Sequence, residues 1–250
     1  MKISDLKDSP DPSNSQFVKE YGISSLYIGA NPVSITSPTP RGFHEFETNK
    51  RTPRDTFVVL HNLTNYLSKK KLGVNVRQGI FSTKSKHNAE VFGTEVYRFV
   101  PNDGYEMYYN PEVEDFTVHS LQGGSKGKKL NRAIESSMSL IFENVYNSVG
   151  IPRGRYTNYL KDHASEIDYE NFVNSVMELS TKMIDEFLDS KGFKGINKRE
   201  ELYGQVKEIW ENYYKDVKFY VDGLKKVEDI KAVGEDIEII TFPYNGFWLI

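Results

Sequence analysis

The sequence contains no cysteine and no long run of apolar residues. A chain without cysteine has no disulfide scaffold, no thiolate zinc site and no cysteine nucleophile, which agrees with a reducing compartment. No stretch approaches the ~20 apolar residues of a membrane-spanning helix. Met1 and Lys2 are followed by polar residues, which is not the pattern of a secretory signal. We therefore expect a soluble, cytoplasmic protein that does not contact a membrane.

The histidines also lack a functional spacing. No two of them stand four residues apart, and no carboxylate lies between a close pair, so the patterns of zinc proteases and zinc deaminases are absent. We therefore expect no metal site. The five histidines are His44, His61, His87, His119 and His163.

The chain does contain enough apolar material for a sizeable core. Its 250 residues are 38% hydrophobic and 13% aromatic, which suits one domain or slightly more. The net charge of -3 is unevenly spread, because residues 41–90 hold ten basic and only four acidic side chains. This basic zone could bind a phosphate-bearing ligand or nucleic acid. An ordinary solvent-exposed charged surface explains it equally well.

Three regions follow from the composition and periodicity. Residues 1–40 are rich in proline and serine and predict an N-terminal arm. Residues 41–118 and 233–250 have strand patterns with short helices, whereas residues 119–232 have long helical stripes. This order predicts an α+β fold whose last strand returns to the first sheet.

Several elements are predicted within these regions. They are a strand at 43–48, a helix from the N-cap Thr52 to Gly73, a hairpin at 95–109, three helices at 128–149, 168–192 and 197–221, and a late strand pattern at 235–250. The helix at 197–221 has its stripe through Trp210, which we expect to be buried.

The segment 79–100 is the most informative part of the chain. An apolar run ends in the hydroxyl cluster of Ser82, Thr83 and Ser85, a helix of about two turns follows, and an alternating strand comes next. Hydroxyls at a strand-to-helix junction can brace the floor of a cleft, and the helix N-terminus can offer amides to an anion. The alternative role for Ser82 and Thr83 is an N-cap of this helix.

This segment resembles the central part of the ADP-ribosyltransferase fold of the Arg, Ser-Thr-Ser, Glu type. Asp236-Ile237-Glu238 near the end of the sequence is similar to the family's Glu-x-Glu element. The resemblance implies a split, mainly antiparallel sheet with a large helical insertion before the last strand. It also implies that Glu238 is the catalytic acid, whose alternative is an exposed strand carboxylate.

The resemblance further implies that NAD is bound as a substrate. Arg51 or Arg54 would hold its pyrophosphate, and Ser82 and Thr83 would brace the nicotinamide pocket and orient the acid. The remaining residues implied in the NAD site are Ser85, Phe92 and Tyr97. Lys84 interrupts the hydroxyl triplet of the family pattern.

The sequence therefore leaves two candidate functions. The first is an NAD-dependent ADP-ribosyltransferase that modifies a protein or nucleic-acid target. The second is a non-catalytic binding or virion-associated protein with a degenerate transferase-like sheet, which docks a partner on its helical subdomain. The Lys-, Asn- and Tyr-rich composition and the proline-rich start resemble accessory proteins of large bacteriophages, which implies the host cytoplasm or the virion as the location.

Overall fold

The computed structural model describes residues 11–30, 41–46, 57–90, 93–113, 150–190 and 196–250. These residues form two compact units. The first, called here the sheet unit, holds the described residues up to 46, those of 77–113 and those of 223–250; the second, called the helical unit, holds 57–76, 150–190 and 196–222. Strands and long helices are segregated along the chain, which confirms the α+β class.

The first sheet of the sheet unit has four antiparallel strands in the order β1-β4-β8-β2. The strands are β1 (Tyr27–Ala30), β4 (Glu95–Pro101), β8 (Gly246–Leu249) and β2 (Gly42–Glu45). β2 lies at an edge and is the described part of the strand predicted at 43–48; Phe43 pairs with Trp248.

The second sheet is also antiparallel and has the order β3-β7-β5-β6. Its strands are β3 (Ile80–Ser82), β7 (Ile239–Phe242), β5 (Glu106–Tyr109) and β6 (Lys225–Lys226). The late strand β7 pairs with β3, the strand that ends at Ser82, so the late strand pattern returns to a sheet that earlier strands begin, as the sequence predicts.

One bent ribbon connects the two sheets. β4 pairs with β8, and β5 pairs with β7. Pro101 lies opposite Phe247, and Met107 lies opposite Thr241, so the same number of residues separates the paired positions on both strands. The register therefore continues unchanged across the bend.

The predicted hairpin at 95–109 is therefore wrong. Gly104, with φ +82°, sits in the turn after β4, and this turn sends the chain into the other sheet instead of back along β4. The late pattern at 235–250 likewise forms two strands, β7 and β8, which belong to different sheets.

The core of the sheet unit includes the N-terminal segment. α1 (Gln16–Tyr21) buries Phe17, Leu26 precedes β1, and both side chains are fully buried. This differs from the expected arm at 1–40, because these two apolar side chains fill the core beside β4. The core residues are Phe17, Leu26, Tyr97, Phe99, Val100, Met107, Ile230, Val233, Ile239, Trp248 and Leu249.

The helical unit has four described α-helices. They are α2 (Val58–Leu72), α4 (Arg153–Asp162), α5 (Phe172–Ser190) and α6 (Ile196–Gly223), while α3 (Lys86–Ala89) belongs to the sheet unit. The predicted stripes of α5 and α6 are buried, namely Val176, Leu179, Met183 and Phe187, and Leu202, Val206, Ile209, Trp210, Tyr213 and Val217. The predicted helix at 128–149 lies outside the described residues.

The boundary between the two units differs from the sequence-based division in two places. The sequence predicts that α2 belongs to the sheet core at 41–118, whereas the helix packs with α4 in the helical unit, where Val59 and Leu63 are buried. The sequence also places residues 223–232 with the helices, whereas they supply β6 and the core residue Ile230 to the sheet unit. α2 ends at Gly73 as predicted, with φ +79° and its N–H donating to the Lys69 carbonyl.

A series of hydrogen-bonded polar side chains runs through the apolar core of the helical unit. The Tyr156 hydroxyl and the Ser180 hydroxyl lie 2.7 Å apart, and the indole N–H of Trp210 donates to the Tyr156 hydroxyl at 3.4 Å. The Ser180 hydroxyl also donates to the Val176 carbonyl at 2.7 Å. These bonds satisfy polar atoms that burial would otherwise penalise.

None of the described helices is both long enough and apolar enough to cross a bilayer.

Candidate functional site

The site begins where β3 pairs with β7. Ser82, the last residue of β3, lies opposite Ile239, the first residue of β7. The Ser82 hydroxyl donates to the Ile239 carbonyl oxygen at 3.2 Å, and both side chains are buried. Glu238 immediately precedes Ile239, so the hydroxyl cluster and the proposed acid, far apart in sequence, are brought to the same end of one strand pair.

Thr83 extends these contacts into the turn after β3. It forms a two-way backbone bridge with Tyr27 of β1, at 3.0 and 2.8 Å. Its hydroxyl donates to the Glu235 carbonyl at 3.0 Å and accepts the Ser85 N–H at 3.2 Å. Ser82 and Thr83 are therefore not helix caps; both bind the backbone of the segment that carries Glu238.

Ser85 has the capping role instead. Its hydroxyl accepts the Asn88 N–H at 3.2 Å and begins α3. The described helix is a single turn of four residues, so the predicted two-turn helix is wrong in length. A helix this short has little dipole, and one of its first amides is already used by Ser85, so we assign it no anion site.

α3 is held close to β1. A Cβ atom built on Gly29 would lie 1.9 Å from the Ala89 carbonyl oxygen and 2.9 Å from the Gly93 nitrogen. Only a residue without a side chain allows this approach of the two backbones. Gly29 therefore fixes the position of the helix that follows the hydroxyl cluster.

Glu238 is a buried carboxylate. Its exposed fraction is 8%, so the alternative of an exposed strand carboxylate is wrong. Asp236, two residues earlier, is exposed and accepts a hydrogen bond from the Asn88 side-chain amide at 2.9 Å. The two acids of the Asp-Ile-Glu element thus have different environments, and the buried one acts on its neighbours through a lower dielectric.

Lys84 contacts the backbone of the segment that leads to Glu238. Its ammonium donates to the Val233 carbonyl at 2.7 Å. The lysine that interrupts the hydroxyl triplet therefore serves as another contact to the residues just before Glu238.

Arg77 is a buried arginine near this strand pair, and the sequence analysis does not single it out. It is only 6% exposed, and its guanidinium carbon lies 4.6 Å from the centre of the Phe81 ring. Phe81 pairs with Ile240, so the Arg77 guanidinium lies next to the strand pair in which Ser82 and Ile239 are partners. In the sequence, the signal for this contact is an arginine four residues before an aromatic strand residue. That spacing does not show that the guanidinium is buried.

The other predicted residues have different outcomes. Tyr97 is 3% exposed in the apolar core of the sheet unit, and its hydroxyl donates to Glu95. Its ring therefore serves core packing. Arg51, Arg54 and Phe92 lie outside the described residues. The structure thus brings together Ser82, Thr83, Ser85 and the segment of Glu238.

No group of three or more His, Asp or Glu side chains within the described part of the chain is placed to hold a metal ion.

Comparisons of the chain with family models, with curated proteins and with solved structures found no match.

Proposed function

We propose that this protein binds NAD and transfers its ADP-ribose, with Glu238 as the carboxylate that stabilises the developing positive charge. The observation that carries this proposal is the Ser82–Ile239 pairing, which sets the hydroxyl turn against the segment of a buried glutamate. The resemblance to ADP-ribosyltransferases supplies the reaction, and the geometry supplies a reason for these residue types to lie together.

The reaction breaks the glycosidic bond between the ribose C1′ and the nicotinamide nitrogen. The bonding electron pair leaves with nicotinamide, which becomes neutral, and the ribose carbon gains positive charge. Water or a target nucleophile then attacks C1′ and loses a proton. A carboxylate that accepts a hydrogen bond from the ribose 2′-hydroxyl stabilises the transition state, with its positive charge on the ribose, more than it stabilises bound NAD.

Burial supports this role for Glu238. A carboxylate that is 8% exposed interacts with a nearby cation through less water than an exposed one does. Its backbone position is supported by the hydroxyl of Ser82 on Ile239 and by that of Thr83 on Glu235. We therefore assign Ser82 and Thr83 to the orientation of the acid, which requires no direct contact with nicotinamide.

The pyrophosphate needs a cation. Arg51 and Arg54 remain the candidates from the sequence, because a guanidinium binds two phosphate oxygens at once. Arg77, whose guanidinium carbon lies 4.6 Å from the centre of the Phe81 ring next to the same strand pair, is a further candidate. The target of the transfer is a protein or a nucleic acid, in agreement with the basic zone at 41–90.

The test uses calorimetric NAD binding and nicotinamide release by the full chain. Glu238→Gln preserves the shape and removes the charge, so we expect turnover to fall by ~100-fold or more while NAD affinity is nearly kept. Glu228→Gln removes an exposed carboxylate of the same unit and serves as the matched control. Arg51→Ala or Arg54→Ala should instead weaken NAD binding.

If the protein has no NAD affinity at millimolar concentration and releases no nicotinamide with cell extracts as a source of targets, the transferase proposal is wrong. The non-catalytic binding or virion-associated function then takes its place.

A further inference from the structure

Three side chains after β3 hold the turn that precedes Glu238. Thr83 donates to the Glu235 carbonyl at 3.0 Å, Lys84 to the Val233 carbonyl at 2.7 Å, and Asn88 to the Asp236 carboxylate at 2.9 Å. We call Thr83, Lys84 and Asn88 the clamp. Its acceptors fall on three of the four residues from 233 to 236.

The turn has few other restraints. The Ile237 N–H closes it on the Gly234 carbonyl at 3.3 Å, and residues 234–236 are exposed. Val233 before it is in the core, and Ile239 after it is in β7. Segments with few buried apolar contacts open most easily, so the clamp bonds restrain a turn that would otherwise open readily, directly before Glu238.

From these contacts we infer that the clamp positions Glu238 for the proposed reaction. Its members are positioning residues, since their side-chain bonds end on the turn. Lys84 adds a charge-assisted bond to a carbonyl, which is stronger than a neutral one. This inference rests on the proposed function, because it concerns the rate of the same site.

The first test exchanges the two partners of one clamp bond. Asn88→Asp sets two carboxylates against each other, whereas Asn88→Asp combined with Asp236→Asn restores an amide–carboxylate pair in reverse. The measurements are hydrogen exchange of the peptide 233–240 and the steady-state kinetics of nicotinamide release. We expect the single variant to exchange faster and to lose about 10-fold or more in kcat with KM unchanged, and the double variant to recover both.

The second test changes Lys84. Lys84→Met removes the donor and keeps most of the side-chain length, so it should show the same two effects. Lys84→Arg keeps a cationic donor and should recover at least part of them. Lys86→Met, two residues later on an exposed position of α3, is the matched control and should leave both readouts unchanged.

The outcomes separate this inference from the proposed function. If the wild type releases nicotinamide and the clamp variants keep its kcat, the inference is wrong and the transferase proposal stands. If hydrogen exchange does not change, the clamp does not restrain the turn and the inference is also wrong. If the wild type neither binds NAD nor releases nicotinamide, both fail, and any exchange effect then describes a purely structural clamp.

Discussion

The Ser82 hydroxyl donates a hydrogen bond to the Ile239 carbonyl across 157 positions of sequence. This bond joins the last residue of β3 to the first residue of β7, directly beside Glu238. A hydroxyl at a buried strand end therefore has a structural task in addition to any contact with a ligand. The two tasks are separable by measurement.

We expect Ser82→Ala to lower the free energy of unfolding by about 1 kcal/mol, because it removes one buried hydrogen bond without creating a large cavity. The measurement is the denaturant midpoint of the full chain at constant m-value. Ser24→Ala, at an exposed position, is the control and should change stability very little. Equal midpoints for the two variants would contradict a structural role for the Ser82 hydroxyl.

We expect Trp210→Ala to destabilise the helical unit by ~3–5 kcal/mol. Trp210 is fully buried, its ring centre lies 5.8 Å from that of Phe172 and 5.2 Å from that of Tyr213, and its N–H donates to Tyr156. Phe219→Ala on the same helix, where the ring is 51% exposed, should cost less than ~0.5 kcal/mol. Loss of the α-helical circular dichroism signal on heating reports this unit. A cost below ~1 kcal/mol for Trp210→Ala would count against a core role.

Asp216 should make stability depend on pH. Burial raises the pKa of this half-buried carboxyl on α6 to about 6, from an ordinary value of 3.8. The folded chain therefore binds this proton more tightly than the unfolded chain, so its contribution to stability is lost as the pH rises from about 4 to about 6. Asp216→Asn should raise the thermal midpoint at pH 7.5 more than at pH 4.

Glu208→Gln, which changes an exposed carboxylate of the same helix, is the control for that experiment. The pKa of Asp216 would be shown not to be raised if Asp216→Asn shifted the midpoint equally at both pH values. The thermal scan should therefore cover pH 4, 5, 6 and 7.5 for all three chains.

We expect two glycine substitutions to act in opposite directions. Gly29→Ala would place its Cβ 1.9 Å from the Ala89 carbonyl, so β1 or α3 must shift, at a cost of about 1–3 kcal/mol. Gly204→Ala, inside α6, should stabilise the chain by about 0.5–1 kcal/mol, because no described atom outside the local helix backbone lies within 4 Å of the new Cβ. Denaturant unfolding measures both. If Gly29→Ala were neutral, the close contact of β1 with α3 would be excluded.

The pairing of β7 with the Ser82 strand was predictable because its reason is local and simple. The apolar residues Ile237, Ile239 and Ile240 need a sheet, and the long helices before them offer none. The stripes of α5 and α6 were predictable for the same kind of reason, since a period of 3.6 defines one buried face.

The partners of β4 and β5 were not predictable from the turn between these two strands. Pro101-Asn102-Asp103-Gly104 has the composition of a hairpin turn, and the same residues also suit a bend between two sheets. Whether these residues form a hairpin turn or a bend depends on β7 and β8, which lie more than a hundred positions later in the sequence. The chain also passes from one sheet to the other between β7 and β8, opposite the bend between β4 and β5. The burial of Arg77 was hidden similarly, because an exposed and a buried arginine look alike in a sequence.

The bent ribbon has a consequence for the order in which this protein is made. β4 and β5 leave the ribosome early, but their partners β8 and β7 are added only after the whole helical stretch. Until then, both strands have open edges, which are templates for pairing with other chains. During synthesis, the nascent sheet unit should therefore depend on chaperones until residues 239–249 are released, which is the step that completes both sheets together.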